Sequence, residues 1–238
     1  MTARRTVFVA VAVLLGGVDA DAQSFRRGGT EFTSKRPLSA PDDKPYKVLV
    51  TEFLHHGQIR DDGKNVAVYC LRTRAPVPHD VLQLGPGDFC RLAFQTTAGQ
   101  TAYEVYYGGQ PPTEPPPKWT ARVGLLLETR KYKDCNLNSA DAVREAFDSA
   151  EPYGRDYVDA VHHAGNPFSL SAAPFLSRYT GSLHTSAGKY GFLTSSQDCS
   201  FLLIDGKEVV SAPGRHGRMY QAKRGSRQDV RLSAGPHK

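Results

Sequence analysis

The feature that most constrains the fold is a run of alternating side chains that ends at an Asp-Gly pair. Apolar and polar residues alternate through 189–194 and again through 202–204, with the period of two that is typical of β-strands. A polar turn at 195–200 separates the two runs and is expected to reverse the chain. Asp205-Gly206 then predicts a tight hairpin into 208–210. The side chains expected to point into a sandwich are Tyr190, Phe192, Leu202 and Ile204.

These residues resemble the core of the β-sandwich family that is named after the anthrax protective antigen (the "PA-fourteen" family). The resemblance extends over residues 179–210 and implies an antiparallel β-sandwich in the C-terminal half. A looser likeness relates residues 103–109 to a β-sandwich domain of unknown function in bacterial surface proteins. The positions that match the first family are Gly188, Tyr190, Phe192, Ser195-Ser196, Gln197-Asp198 and Leu202 to Gly206.

The resemblance also implies a binding site at the turn. In carbohydrate-binding members of the family, two adjacent aspartates hold calcium, which holds sugar hydroxyls in turn. Here the pair is Gln197 and Asp198, and Cys199 replaces the glycine that follows. We therefore expect Gln197, Asp198 and nearby Asp205 to bind the ligand. Because this chain has one carboxylate where the family has two, no cofactor is expected. Calcium bound weakly at Asp198 and a plain hairpin tip without a ligand are the alternatives.

The first residues have the pattern of a secretory signal peptide. Arg4-Arg5 precede the apolar run 7–15, and Ala20-Asp21-Ala22 forms a small-x-small site. We expect cleavage after Ala22 and a secreted, periplasmic or cell-surface protein, without a transmembrane segment once the signal is removed. The apolar run is shorter than the roughly 20 residues of a membrane-spanning helix. An uncleaved amphipathic anchor is the alternative.

Export would place the four cysteines where disulfides persist. Cys70 and Cys90 each share a face of a predicted strand with apolar residues, so a Cys70–Cys90 disulfide is expected. Free buried thiols are the equal alternative. The sequence lacks the Cys and His spacing of a structural zinc site.

The chain is basic, with a formal net charge of +6. In an exported protein this charge favours a polysaccharide or an envelope component as partner, and no nucleic-acid-binding motif accompanies it. A solvated basic surface without a partner is the plainer alternative, because the basic residues are scattered along the chain.

A proline-rich stretch divides the chain into two modules. The spacing of strands and turns in the first and the family resemblance of the second imply a mainly β fold of two consecutive antiparallel β-sandwich modules with one short helix. Residues 1–22 are the predicted signal peptide and 23–44 a flexible leader. The first module is predicted over 45–109 and the second over 119–238, with a proline-rich linker at 110–118. In the first module, turn residues separate strands that are predicted at 46–53, 65–72, 81–84, 89–96 and 101–107.

The second module is predicted to contain a central buried strand at 122–130 and a helix over 139–150, capped by Asn138 or Ser139. Residues 153–174 and 213–228 are predicted loops. The last nine residues resemble the penultimate strand of the protective-antigen family and the turn that follows it. The family's last strand would then be missing, and we expect the chain to be a piece of a longer surface protein.

Catalytic patterns are lacking, so the chain is not expected to be an enzyme and no catalytic residue is assigned. It has no GxSxG elbow and no glycine-rich phosphate loop. The carboxylates of Glu128, Glu151 and Asp156 have no spacing that would pair two of them. The pairs His55-His56 and His162-His163 lack a metal-binding spacing. We expect a non-catalytic binding module for carbohydrate or a surface partner; a structural or assembly domain, or an accessory domain of a hydrolase, is the alternative.

Overall fold

A computed structural model describes residues 24–119, 124–217 and 227–238. The predicted signal peptide lies outside these residues. Within them the chain has seventeen β-strands and one α-helix, so the expected mainly β fold is confirmed. No helix in the described ranges is long and apolar enough to cross a membrane.

The first module contains eight strands. They are β1 (Phe25–Arg27), β2 (Thr30–Phe32), β3 (Ser34–Ser39), β4 (Val48–Leu54), β5 (Val66–Cys70), β6 (His79–Leu84), β7 (Phe89–Gln95) and β8 (Ala102–Tyr107). Two three-stranded antiparallel sheets are formed, in the orders β3-β8-β5 and β4-β7-β6. Alternate side chains of both sheets meet in one buried cluster, which makes this module a sandwich. The fully buried members include Val68, Leu92, Tyr103 and Val105.

The predicted flexible leader at 23–44 is wrong, because most of this segment is folded onto the first module. β1 and β2 form a hairpin, and β3 is an edge strand paired with β8 from Ser34↔Tyr107 to Ser39↔Ala102. Phe32 is 0 % exposed, and its ring centroid lies 5.6 Å from that of Tyr106. This segment has few apolar residues, which is why its sequence resembles a leader. An edge strand and a surface hairpin need only a few buried apolar side chains to pack against a sheet.

The second module contains the helix and the remaining strands. They are β9 (Leu125–Lys131), α1 (Ala140–Ser149), β10 (Pro152–Val158), β11 (Phe175–Gly181), β12 (Leu183–Thr185), β13 (Gly188–Leu193), β14 (Ser200–Ile204), β15 (Lys207–Ala212), β16 (Arg227–Leu232) and β17 (Gly235–His237). Their sheets have the orders β10-β9-β11, β12-β17, β13-β16 and β14-β15.

The predicted central strand and the helix are confirmed. β9 lies between β10 and β11, with Leu127 buried. Ser139 caps α1, since its hydroxyl accepts a hydrogen bond from the backbone N–H of Ala142. Ala146 and Phe147 on one face of the helix are buried. The predicted loop over 153–174 is wrong at its start, which forms β10; polar residues and the initial proline suit an edge strand.

The Asp205-Gly206 hairpin is confirmed, whereas the two runs on either side of the polar turn at 195–200 do not pair with each other. β14 and β15 form the hairpin, and both turn residues have positive φ (52° and 75°), as a type I′ turn requires. β13, however, pairs with β16 from Gly188↔Leu232 to Leu193↔Arg227, so β13 and β14 lie in separate sheets. The alternation holds in β13, where Tyr190 and Phe192 are half-buried between exposed neighbours. In β14 Ile204 is buried, but Leu202 and Leu203 are both half-buried, and the strand register shifts between them.

Two ion pairs join the modules at the sheet of β6 and β7 and the edge of β10. Arg91 of the first module lies 2.6 Å from Asp156 of the second, and Arg155 of the second lies 2.7 Å from Asp80 of the first. Each module therefore contributes one arginine and one aspartate to these two ion pairs. The segment 110–118 that connects the modules contains no helix or strand.

Candidate functional site

The turn between β13 and β14 carries the predicted site and is held by its own polar atoms. The backbone N–H of Asp198 donates to the carbonyl of His216 at 2.7 Å. The hydroxyl of Ser196 lies 3.0 Å from the carbonyl oxygen of Asp198 and 2.9 Å from the hydroxyl of Ser200. Asp198 has a φ of 62°, a left-handed conformation that aspartate tolerates better than most residues. The sequence therefore supplies a residue suited to this turn.

The two side chains at the tip differ in exposure, and neither makes a hydrogen bond or an ion pair with another described residue. Gln197 is exposed and Asp198 is half-buried. Within the described part of the chain, no hydrogen bond or ion pair joins the carboxylate of Asp198 to another group. Both side chains end in oxygen atoms that can accept hydrogen bonds, and Gln197 also offers amide donors.

Asp205, the third predicted site residue, is not brought to this turn. It lies at the other end of β14, and the five residues of that strand correspond to about 16 Å at 3.3 Å per residue. Its carboxylate binds elsewhere: Oδ2 accepts from His237 Nδ1 at 2.7 Å, and Oδ1 accepts from the N–H of Lys238 at 2.9 Å. Asp205 therefore attaches the C-terminal segment to the β14–β15 hairpin.

His237 is the partner that sequence reasoning missed. It is 7 % exposed, and its Nε2 lies 3.1 Å from the carbonyl of Ser233. Hydrogen bonding to Asp205 raises the pKa of His237, and hydrogen bonding to His237 lowers the pKa of Asp205. An imidazolium that donates from both nitrogens fits these two acceptors. No local sequence signal links residues so far apart in the chain.

One histidine of each predicted pair makes a hydrogen bond to a nearby group. His55 Nδ1 accepts from the N–H of Ile59 at 3.2 Å, and His163 Nδ1 lies 2.6 Å from the hydroxyl of Tyr179. His56 and His162 are exposed. Among the described residues, no group of three His, Cys, Asp or Glu side chains is arranged to hold a metal ion.

The three carboxylates considered for glycoside hydrolysis each bind a different cation. Glu128 lies 3.1 Å from Arg178 and Glu151 lies 2.7 Å from Lys131. Asp156 makes the contact with Arg91 between the modules. No two of the three share a partner among these ion pairs.

The predicted Cys70–Cys90 disulfide is wrong, because both cysteines are free. The prediction placed them on neighbouring strands, whereas β5 and β7 belong to different sheets of the sandwich. Cys70 is paired with Tyr103 in the strand register, and Cys90 with Phe53 and Leu84. Both thiols are buried, and burial raises the pKa of Cys90 to about 12. Cys90 acts as a small apolar side chain in the core, whereas the Cys70 thiol lies 3.4 Å from Gln100 Oε1.

Comparison of the chain with protein-family models, with curated proteins and with solved structures found no match.

Proposed function

We propose that the chain is an exported, non-catalytic β-rich module that binds carbohydrate at the turn between β13 and β14. The main support for this proposal is that the carboxylate of Asp198 has no partner in the described part of the chain, although hydrogen bonds hold the backbone of Asp198 in place. Exposed Gln197 stands beside it. A carboxylate and an adjacent amide together accept from and donate to neighbouring hydroxyl groups of a sugar. The resemblance of this segment to the protective-antigen family adds support.

Direct contact with the sugar is favoured over calcium-mediated contact. A calcium ion takes six to eight oxygen ligands, and carboxylates contribute most of the attraction. At this turn a neutral amide stands where the resemblance implies a second carboxylate, so a cation would be held weakly. The net charge of +6 makes acidic polysaccharides the first class to examine.

The second candidate is a structural or assembly role, and the ion pairs between the modules favour it. Arg91–Asp156 and Arg155–Asp80 are partly buried contacts on one interface. Such contacts suit a stiff spacer better than two independently moving modules. This role requires no ligand at the turn.

A glycan array with and without calcium tests the proposal. The wild type is compared with Asp198→Asn and with Asp159→Asn, which removes an equal charge from an exposed loop residue. We expect binding that Asp198→Asn weakens at least tenfold and Asp159→Asn leaves unchanged. Equal binding by all three proteins would contradict the site. Absence of binding by the wild type would favour the structural role.

A further inference from the structure

A cavity lies at one end of the first sandwich, in a region that the proposed function does not use. It has a volume of about 230 Å³ and lies between the segment that follows β4 and the turn from β6 to β7. Loops at the end of a sandwich are a common location for binding sites, because the sheets hold them in place. The residues that line this cavity are His55, Ile59, Asp61, Leu84, Gly85 and Gly87.

His55 is a largely buried residue that lines this cavity. The residue is 6 % exposed, and its backbone N–H donates to the carbonyl of Asp88 at 2.8 Å. Its Nδ1 lies 3.2 Å from the backbone N–H of Ile59, which can only donate, so Nδ1 accepts. The ring is therefore neutral, with its proton on Nε2. No hydrogen bond joins Nε2 to any other described residue, and this atom is not fully enclosed by protein, so its N–H is available to a molecule in the cavity.

The other walls complement this donor. Ile59 and Leu84 present apolar surface, and Asp61 presents a carboxylate that makes no hydrogen bond or ion pair within the described chain. The opposite loop is held in place: the N–H of Gly85 donates to the carbonyl of Phe89, and the amide of Gln83 donates to the carbonyl of Gly85, each at 2.8 Å. The cavity is thus formed without a ligand.

We propose that this cavity binds one neutral polyhydroxylated ring, such as a single monosaccharide unit. His55 Nε2–H donates to one hydroxyl, a neighbouring hydroxyl donates to the Asp61 carboxylate, and Ile59 and Leu84 contact the C–H face of the ring. A hydroxyl group both donates and accepts, so a pair of them satisfies both protein groups. The volume is below the roughly 300–1,000 Å³ of sites for drug-sized ligands, which limits the occupant to about one ring.

Charged ligands fit this cavity less well. An anion would meet the carboxylate of Asp61 without a compensating positive charge, since the His55 ring is neutral. A cation could pair with the Asp61 carboxylate but would leave the Nε2–H donor of that ring without an acceptor. A neutral ligand that both donates and accepts hydrogen bonds satisfies both protein groups, so it is favoured. This site belongs to the first module and does not depend on Asp198.

The test is NMR titration of the full chain labelled at histidine. The probes are the methyl glycosides of glucose, mannose and galactose, with sodium acetate and methylammonium chloride as charged comparisons. The His55 ring signal is assigned with His55→Gln. We expect a saturable shift of this signal with at least one glycoside, with a Kd of about 1–10 mM, and no saturable shift with either charged probe.

Variants separate binding from folding and from the proposed turn site. Asp61→Asn is expected to weaken glycoside binding at least fivefold with an unchanged melting temperature, because Asp61 is exposed. Asp62→Asn in the adjacent position is the matched control and should bind as the wild type does, as should Asp198→Asn. The inference is overturned if no glycoside shifts the His55 signal up to about 100 mM, a concentration tenfold above the weakest expected Kd. It is also overturned if only a charged probe shifts the signal, or if Asp61→Asn and Asp62→Asn bind the glycoside equally.

Discussion

Phe32→Ala distinguishes a folded N-terminal segment from a flexible leader. Phe32 is 0 % exposed in β2 and belongs to a buried cluster with Ala67, Tyr69 and Tyr106. These three residues come from β5 and β8, so the ring of Phe32 attaches the β1–β2 hairpin to a sheet of the sandwich. A flexible leader would have no such contact.

The magnitude follows from the burial of the ring. Complete burial of a phenylalanine side chain contributes about 1.5–3 kcal/mol from transfer alone. The void that remains and the lost ring contact with Tyr106 raise the expected loss in the free energy of unfolding to about 3–5 kcal/mol. For a module of this size, each kcal/mol lowers the melting temperature by about 4–8 °C. We therefore expect a decrease of at least about 12 °C.

Phe192→Ala is the matched comparison, because the chemical change is the same and only the burial differs. Phe192 is half-buried in β13, so we expect a loss of about 1–2 kcal/mol. Urea unfolding followed by circular dichroism, together with differential scanning calorimetry, measures both variants. The reasoning is refuted if Phe32→Ala costs less than about 1 kcal/mol, the level typical of a minor surface change, or costs no more than Phe192→Ala. Residues 24–44 would then behave as a leader.

Three other perturbations test contacts that hold the fold together. Hydrogen bonding to Asp205 raises the pKa of His237, so the stabilisation from this pair is present below the unfolded histidine pKa of about 6.5 and is lost as the pH rises through the raised value. His237→Gln should therefore remove a pH dependence of urea unfolding between about pH 5 and 8. Arg91→Ala combined with Arg155→Ala should speed proteolytic cleavage in the proline-rich linker, measured by gel electrophoresis, while the melting temperature of each module is unchanged. Equal cleavage rates in the wild type and the variant would contradict a role for the ion pairs. Iodoacetamide at pH 8 should alkylate the two partly exposed cysteines of the second module before buried Cys90, as measured by peptide mass spectrometry; the reverse order would contradict the burial.

Local features of the chain were predictable where neighbouring residues decide the backbone. The Asp205-Gly206 turn needs two residues that tolerate positive φ, and the sequence supplies them directly. An apolar stripe at helical spacing after Asn138 and Ser139 predicted α1, and the structure selects Ser139 as its cap. Turn residues between strand-like runs located five of the eight strands of the first module within a few residues of their observed bounds.

The candidate site was predictable only in part. The turn that carries Gln197 and Asp198 follows from its polar residues, since such residues favour turns. The position of Asp205 did not follow, because its role depends on His237, which is 32 residues away. The cavity at His55 is likewise formed by two loops that are separated in the sequence.

The sequence by itself determined the later strands of the first module, the central strand β9, the helix and the Asp205-Gly206 turn, since these depend on dihedral preferences and on the pattern of apolar and turn residues. Only the tertiary structure decided that β13 pairs with β16 rather than β14, that the segment around Phe32 is folded, and that Cys70 and Cys90 lie in different sheets. Strand pairing and burial are decided by the summed free energy of many distant contacts. A short polar edge strand and a flexible leader have nearly the same local composition, so the contacts with Tyr106 and its neighbours distinguish them.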